Sequence, residues 1–244
     1  MTATAMRIHR ALARAGIASR RKAEELVAEG RVTINGVVAR TGQSVDPTRD
    51  RIAVDGKAVA APAPAKWYVL HKPSGVLTTR SDPEGRRTVF DLVPPQPGLT
   101  YVGRLDYMTE GVLLLTTDGD GAHRLTHPSS AVPRTYVATV RGPVKAAAAA
   151  IRDGIEIDDG PVVAEEVEVR PGPQPRTWEL ELTIREGRTR EVRRICEAVG
   201  LEVLRLVRTA FGPVRLGTLA PGAARALSAK ELDLLRAFSP ETVD

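Results

Sequence analysis

Residues Tyr101 to Asp120 read YVGRLDYMTEGVLLLTTDGD. A Gly-Arg-Leu-Asp turn runs into four apolar residues, Val112 to Leu115, held between Gly111 and an Asp118-Gly119 turn. So short a run is marginal as a helix and suits a buried strand. The segments around it repeat the theme. KWYVLHKPSGVLTT (66–79) predicts a strand, a Pro-Ser-Gly turn and a returning strand. RTYVATVRG (134–142) alternates Tyr136, Ala138 and Val140, and WELELTIREG (178–187) is an amphipathic strand. Helices are expected over GAHRLTHPS, ending at Pro128, and over Lys145 to Arg152. A third, TREVRRICEAVG, carries Val192, Ile195, Cys196 and Val199 on its buried face. Strands outnumber helices and do not alternate with them in βαβ units. The body is therefore expected to be α+β, built on a mostly antiparallel mixed sheet.

The first quarter has a different character. IHRALARAGIASRRKAEELVAEG (8–30) reads as two short helices, with Ile8, Leu12 and Ala15 on one face and Gly16 as the left-handed stop. Ser19 is placed to cap the second helix, Leu26 and Val27 give its apolar face, and Gly30 ends it. In RVTINGVVAR, Val32, Ile34, Val37 and Ala39 alternate around Asn35-Gly36, the dipeptide suited to a type I′ hairpin, and a short strand follows at Arg51 to Val54. Residues 1–60 hold 11 Lys and Arg against 6 Asp and Glu, which accounts for the whole net charge of +5. Arg20, Arg21 and Lys22 fall at the N-terminus of the second helix, and Arg7, Arg10 and Arg14 on the polar side of the first. Such a cluster is either a solvated helix face or a surface for the phosphates of RNA or DNA. The acids come later in the second helix, which favours the phosphates. A second basic band, Arg185 to Arg215, has 8 arginines against 4 glutamates. APAPA (61–65) reads as a linker, and the residues from 239 as a tail.

Composition removes several classes. In 244 residues no stretch approaches the roughly 18 apolar residues of a membrane helix, and MTATAMRIHR lacks a signal-peptide core. No membrane association and a cytoplasmic location are expected. Cys196 is the only cysteine, and the four histidines show no metal-binding spacing, so neither a metal nor a disulfide is expected.

The aspartate behind Arg104 admits an ordinary reading: Asp106 closes a turn before Thr109. Larger blocks point elsewhere. RIHRALARAGIASRRKAEELVAEGRVTINGVVA (7–39) resembles the small RNA-binding domain named after ribosomal small-subunit protein four. GRLDYMTEGVLLLTTDG, PRTYVATV, EGRTREVRRICEAVG and LRLVRTAFGPVRLG together resemble the pseudouridine synthases that act on ribosomal RNA. The resemblance implies a helix-turn-helix-plus-hairpin RNA-binding domain over 1–60 and a catalytic domain over 66–238. It implies Asp106 as the catalytic aspartate, Arg104 as the residue that helps evert the target base, and Tyr136 as the aromatic beneath the uracil. It further implies Arg193 as the ion-pair partner of Asp106 and Leu206 as pocket wall. Arg188, Arg190 and Arg194 of the second basic band are expected as further RNA contacts. Met108, Glu191 and Arg134 depart from the usual pattern, and Glu191 sets an acid near Arg193.

The chemistry implied asks for these residue types. Isomerisation of uridine breaks the bond from C1′ to N1 and rejoins the sugar to C5 without redox change, so no cofactor is demanded. It needs a carboxylate that stays ionised, as nucleophile or as base toward the 2′-proton. Burial alone would neutralise that group, and a neighbouring guanidinium opposes this. The base must be flipped out, at a few kcal/mol, and Arg104 can fill the gap left behind. A glycosidase pair of Asp106 and Glu110 would explain neither basic region. A noncatalytic RNA-binding protein assisting ribosome assembly is the alternative function. The expected partner is ribosomal RNA, large-subunit before small-subunit, free or in a pre-ribosomal particle, and the protein is expected to be a monomer.

Overall fold

The computed structural model describes residues 5–60 and 63–238; residues 61 and 62 of the expected linker and the expected tail from 239 lie outside the described residues. Contacts divide the chain into two compact units. One holds the described residues up to 66 together with 95–100 and 116–120, and the other holds the rest.

The N-terminal elements are β1 (Met6–Arg7), α1 (Ile8–Arg14), α2 (Arg20–Ala28), β2 (Val32–Ile34), β3 (Val37–Val38), β4 (Ser44–Val45), β5 (Ile52–Val54) and β6 (Lys57–Ala58). Ser19 caps α2, its Oγ accepting the Lys22 N–H at 3.2 Å. Asn35 and Gly36 both take positive φ, 52° and 85°, as the tight β2–β3 turn requires. Ile8, Leu12, Leu26, Val27, Val32, Ile34 and Ile52 form one core. Val37 departs from its expected inward place and is 71% exposed. It follows the turn directly, and Ala39 rather than Val37 joins the core.

The second group comprises β7 (Trp67–Lys72), β8 (Thr100–Val102), β9 (Thr109–Thr116), α3 (Gly119–Thr126), β10 (Arg134–Arg141), α4 (Val144–Asp153), β11 (Ile155–Ile157), β12 (Gly160–Val162), β13 (Glu166–Pro171), β14 (Trp178–Ile184), α5 (Glu191–Ala198), β15 (Glu202–Phe211), β16 (Val214–Arg215), β17 (Ala224–Ala226) and α6 (Ala229–Arg236). The main sheet runs β13-β14-β10-β15-β9-β7-β17, with β16 beside β15 and β8 beside β9. β10 is antiparallel to both β14 and β15, whereas β15 and β9 run parallel. This is the α+β mixed sheet that the strand pattern implies. One core, around Val140, Ile151, Leu180 and Ile195, gathers α4 and α5 against the sheet; a second, around Val112, Leu114, Leu125 and Phe211, lies under α3 and α6.

One expected element is missing. The chain does not return as a strand after Lys72; Leu77 makes only an isolated parallel bridge to Thr88, and β7 takes its partners from β9 and β17. Pro73 lacks a donor, and Gly75, at φ +76°, gives its N–H to the Tyr107 carbonyl at 2.9 Å. The turn is held to the Asp106 loop instead of folding back on β7.

Candidate active site

The Asp106 loop is a turn closed by the Thr109 N–H on the Asp106 carbonyl at 3.0 Å. Its backbone is braced on both sides of the aspartate. Thr78 Oγ1 donates to the Leu105 carbonyl at 2.9 Å. The Lys72 ammonium donates to the carbonyls of Pro73, Tyr107 and Thr109 at 3.0, 3.2 and 2.8 Å. Arg104, Asp106 and the buried Leu105 between them all line one cleft of about 980 Å³. Burial lowers Lys72 to about 8, against the opposing pull of Asp106 and Glu110.

Sheet register supplies the rest of the cleft. Tyr136 on β10 lies opposite Arg208 on β15, at a bulge between Thr135 and Tyr136. Leu206 lies opposite Ala138 on one side and Thr109 on the other. Tyr136, Leu206, Arg188 and Arg190 line the same cleft as Asp106, joined by Thr109, Arg134, Arg208 and Phe211. Arg193 and Arg194 do not line it.

The expected ion pair between Asp106 and Arg193 is not formed within 4 Å. The Arg193 guanidinium donates to the Met108 carbonyl at 3.4 Å, so it braces the loop beside the aspartate. It remains in electrostatic reach: burial and Arg190 lower its proton affinity, and Asp106 raises it. Glu191 does not compete for it. That carboxylate accepts the Arg188 N–H at 3.1 Å and is pushed up by burial.

Other arginines expected on RNA are engaged within the protein. Arg188 bonds to Asp159 and Glu186 and to the carbonyls of Gly160 and Pro161, and Arg194 bonds to Asp158 and Asp159. Asp158 and Asp159, from the β11–β12 turn, and Glu186, just after β14, offset their charge. Arg190 is exposed, at φ +52° just ahead of α5. In the N-terminal unit Arg7 donates to the Gly42 carbonyl and Arg10 pairs with Asp120 of the same unit. Arg21 and Lys22 both face Glu25, at 3.9 and 2.9 Å, whereas Arg20 is exposed and makes no ion pair among the described residues.

Sequence reading missed Lys72, Thr109, Arg134 and Arg208. For Lys72 and Arg208 the local signal was charge in an otherwise apolar strand, at the end of WYVLHK and twice within LRLVRTAF.

A family model described as RNA pseudouridylate synthase matches residues 66–198. The chain belongs to that family. An S4 domain model matches residues 6–52, the part rich in exposed arginine. An uncharacterized RNA pseudouridine synthase from Mycobacterium bovis is 43% identical over 94% of this chain and 92% of its own length. The ribosomal large subunit pseudouridine synthase B of Pseudomonas aeruginosa is 42% identical over 94% of this chain, which spans 61% of that protein. Among solved structures, a crystal structure of a pseudouridylate synthase superposes with a TM-score of 0.64, at 27% identity, over 94% of this chain and 99% of that one. As a member of this family, the chain carries the cleft described above on the family's sheet.

Proposed function

We propose that this RNA pseudouridine synthase isomerises a uridine of ribosomal RNA, with large-subunit RNA as the preferred substrate and small-subunit RNA second. The observation that carries the reading is the convergence of Asp106, Tyr136 and Leu206 on one cleft, with exposed Arg104 beside them. In this scheme Tyr136 supports the flat base and Leu206 closes the apolar side. Asp106 acts at the ribose, by attack on C1′ or by taking the 2′-proton, and Arg193 supplies the positive potential that keeps it ionised. Arg104 occupies the stack that the base has left. The N-terminal unit grips folded RNA through its phosphates, with exposed Arg20 the least neutralised of its three adjacent cations. The enzyme acts as a cytoplasmic monomer, on free RNA or on a particle under assembly.

The test uses unmodified ribosomal RNA transcripts tritiated at C5 of uracil, with wild type and Asp106→Asn. Tritium release by wild type alone, without free uracil, is the expected result. Free uracil would mean hydrolysis. No release from either protein, on transcripts or on partly assembled particles, with RNA still bound, would mean a noncatalytic RNA-binding role.

A further inference from the structure

Arg208 is fully buried at 2% exposure, yet no carboxylate pairs with it among the described residues. Its Nε donates to the Val112 carbonyl at 2.8 Å and its guanidinium carbon lies 5.3 Å from the centre of the Phe211 ring. Its Nη2 has no hydrogen-bond partner among the described residues, and neither has the buried Oγ1 of Thr109. Both residues line the cleft that holds Asp106. They belong to the parallel seam of β9 and β15, where Leu206 faces Thr109 and Arg208 faces Gly111. Arg134 lies over the same Phe211 ring at 5.4 Å and adds a second guanidinium to this end. A buried guanidinium without an anion is costly, and this one lines the cleft in register with the aromatic Tyr136.

The reaction makes such an anion for part of its course. When the C1′–N1 bond breaks, its electron pair goes to N1 and spreads over the ring to O2 and O4. The deficit at C1′ is met by an Asp106 oxygen, or by loss of the 2′-proton to Asp106. When C5 later bonds to C1′, the ring returns the pair while the Asp106 oxygen leaves C1′, or Asp106 returns the proton to C2′; C5 then gives up its proton to a base, and N1 takes one up. The base is negative only between the two bonding events. We propose that Arg208 is a catalytic residue that holds the detached uracil anion, its Nη2 donating to a ring carbonyl with Thr109 Oγ1 as a second donor. This rests on the function proposed above. The other anion at hand is a backbone phosphate of the RNA. The burial of Arg208 and its register beside Tyr136 suit the flat base, which enters deepest. A preorganised donor aimed at charge that develops in the reaction contributes about 10²–10³ in rate.

The experiment compares wild type, Arg208→Gln and Arg208→Lys on transcripts containing uridine or 5-fluorouridine, under single turnover, by chromatography of the digested RNA. Fluorine stabilises the anion of the departing base and so lessens the need for the guanidinium. Arg208→Gln is expected to slow uridine consumption about 100-fold and 5-fluorouridine consumption less than about 10-fold, with RNA affinity within twofold of wild type. Arg208→Lys keeps a charge at the site and should fall between; it carries the same comparison if circular dichroism shows Arg208→Gln unfolded. Equal slowing of both substrates overturns the proposal. So does a loss of affinity with a shallower salt dependence, which marks a phosphate contact. A wild type that consumes neither substrate overturns the functional reading itself.

Discussion

The buried ammonium of Lys72 and the carbonyl of Thr109 are joined by a 2.8 Å hydrogen bond, at the residue where β9 begins. The same ammonium reaches the Tyr107 carbonyl, so one side chain of β7 fixes the loop just after Asp106. Lys72→Met fills the space but leaves those carbonyls without this donor. An unsatisfied buried polar group costs about 1–3 kcal/mol. The expected result is a loss of that order in the unfolding free energy from denaturant titration, with tritium release reduced about tenfold or more because Asp106 is no longer fixed. Full activity in this variant would show that the loop holds itself.

Lys72 also carries a pH signature. Its folded-state value is about 8, below the ordinary lysine range near 10. Between those values the unfolded chain binds more protons than the folded one, so this residue's contribution makes the protein more stable as pH rises from about 8 to about 10. The ammonium that braces the loop is lost over the same interval, so turnover should fall. Unfolding free energies and single-turnover rates from pH 7 to 10, in wild type and Lys72→Met, test both limbs. The variant should lack the rise in stability.

Gly111 sits at φ +110° where β9 meets β15, and a Cβ built there would lie 2.1 Å from the Arg208 carbonyl oxygen. The clash is with backbone, so no rotamer relieves it. Gly111→Ala must part the parallel seam or shift it, and is expected to cost more than about 3 kcal/mol, combining positive-φ strain with overpacking. Chemical denaturation measures this directly. A loss under about 1 kcal/mol would mean that the seam yields.

What was legible in the sequence was what local chemistry decides. Ser19 caps α2, and Asn35-Gly36 turns the hairpin, because each needs only neighbours in the chain. The stretch after Lys72 was misread because the partner of the Gly75 N–H is Tyr107, far along the chain. The bonds of Arg188 and Arg194 to Asp158 and Asp159 were not legible because those acids lie some thirty residues earlier. Asp106, Tyr136 and Leu206 were named from motif blocks, and register then brings them to one cleft. Nothing in LRLVRTAF marks Arg208 as buried and Arg205 as solvent-facing; that follows from which face of β15 meets the cleft.

The N-terminal arginines make a graded prediction. RNA binding that neutralises phosphates loses affinity with salt, by a slope of about 0.7–0.9 per contact. Arg20, Arg21 and Lys22 stand together at the start of α2, but Glu25 already faces Arg21 at 3.9 Å and Lys22 at 2.9 Å. A cation shared with a carboxylate offers less to a phosphate than one without. Arg20→Ala should therefore weaken binding to structured ribosomal RNA more than Arg21→Ala or Lys22→Ala, and should lower the salt slope by close to one unit. Glu25→Gln, which frees its two partners, should strengthen binding and steepen the slope. Filter binding between about 50 and 200 mM salt resolves these differences. A slope unchanged in all four variants would move the RNA grip away from the start of α2.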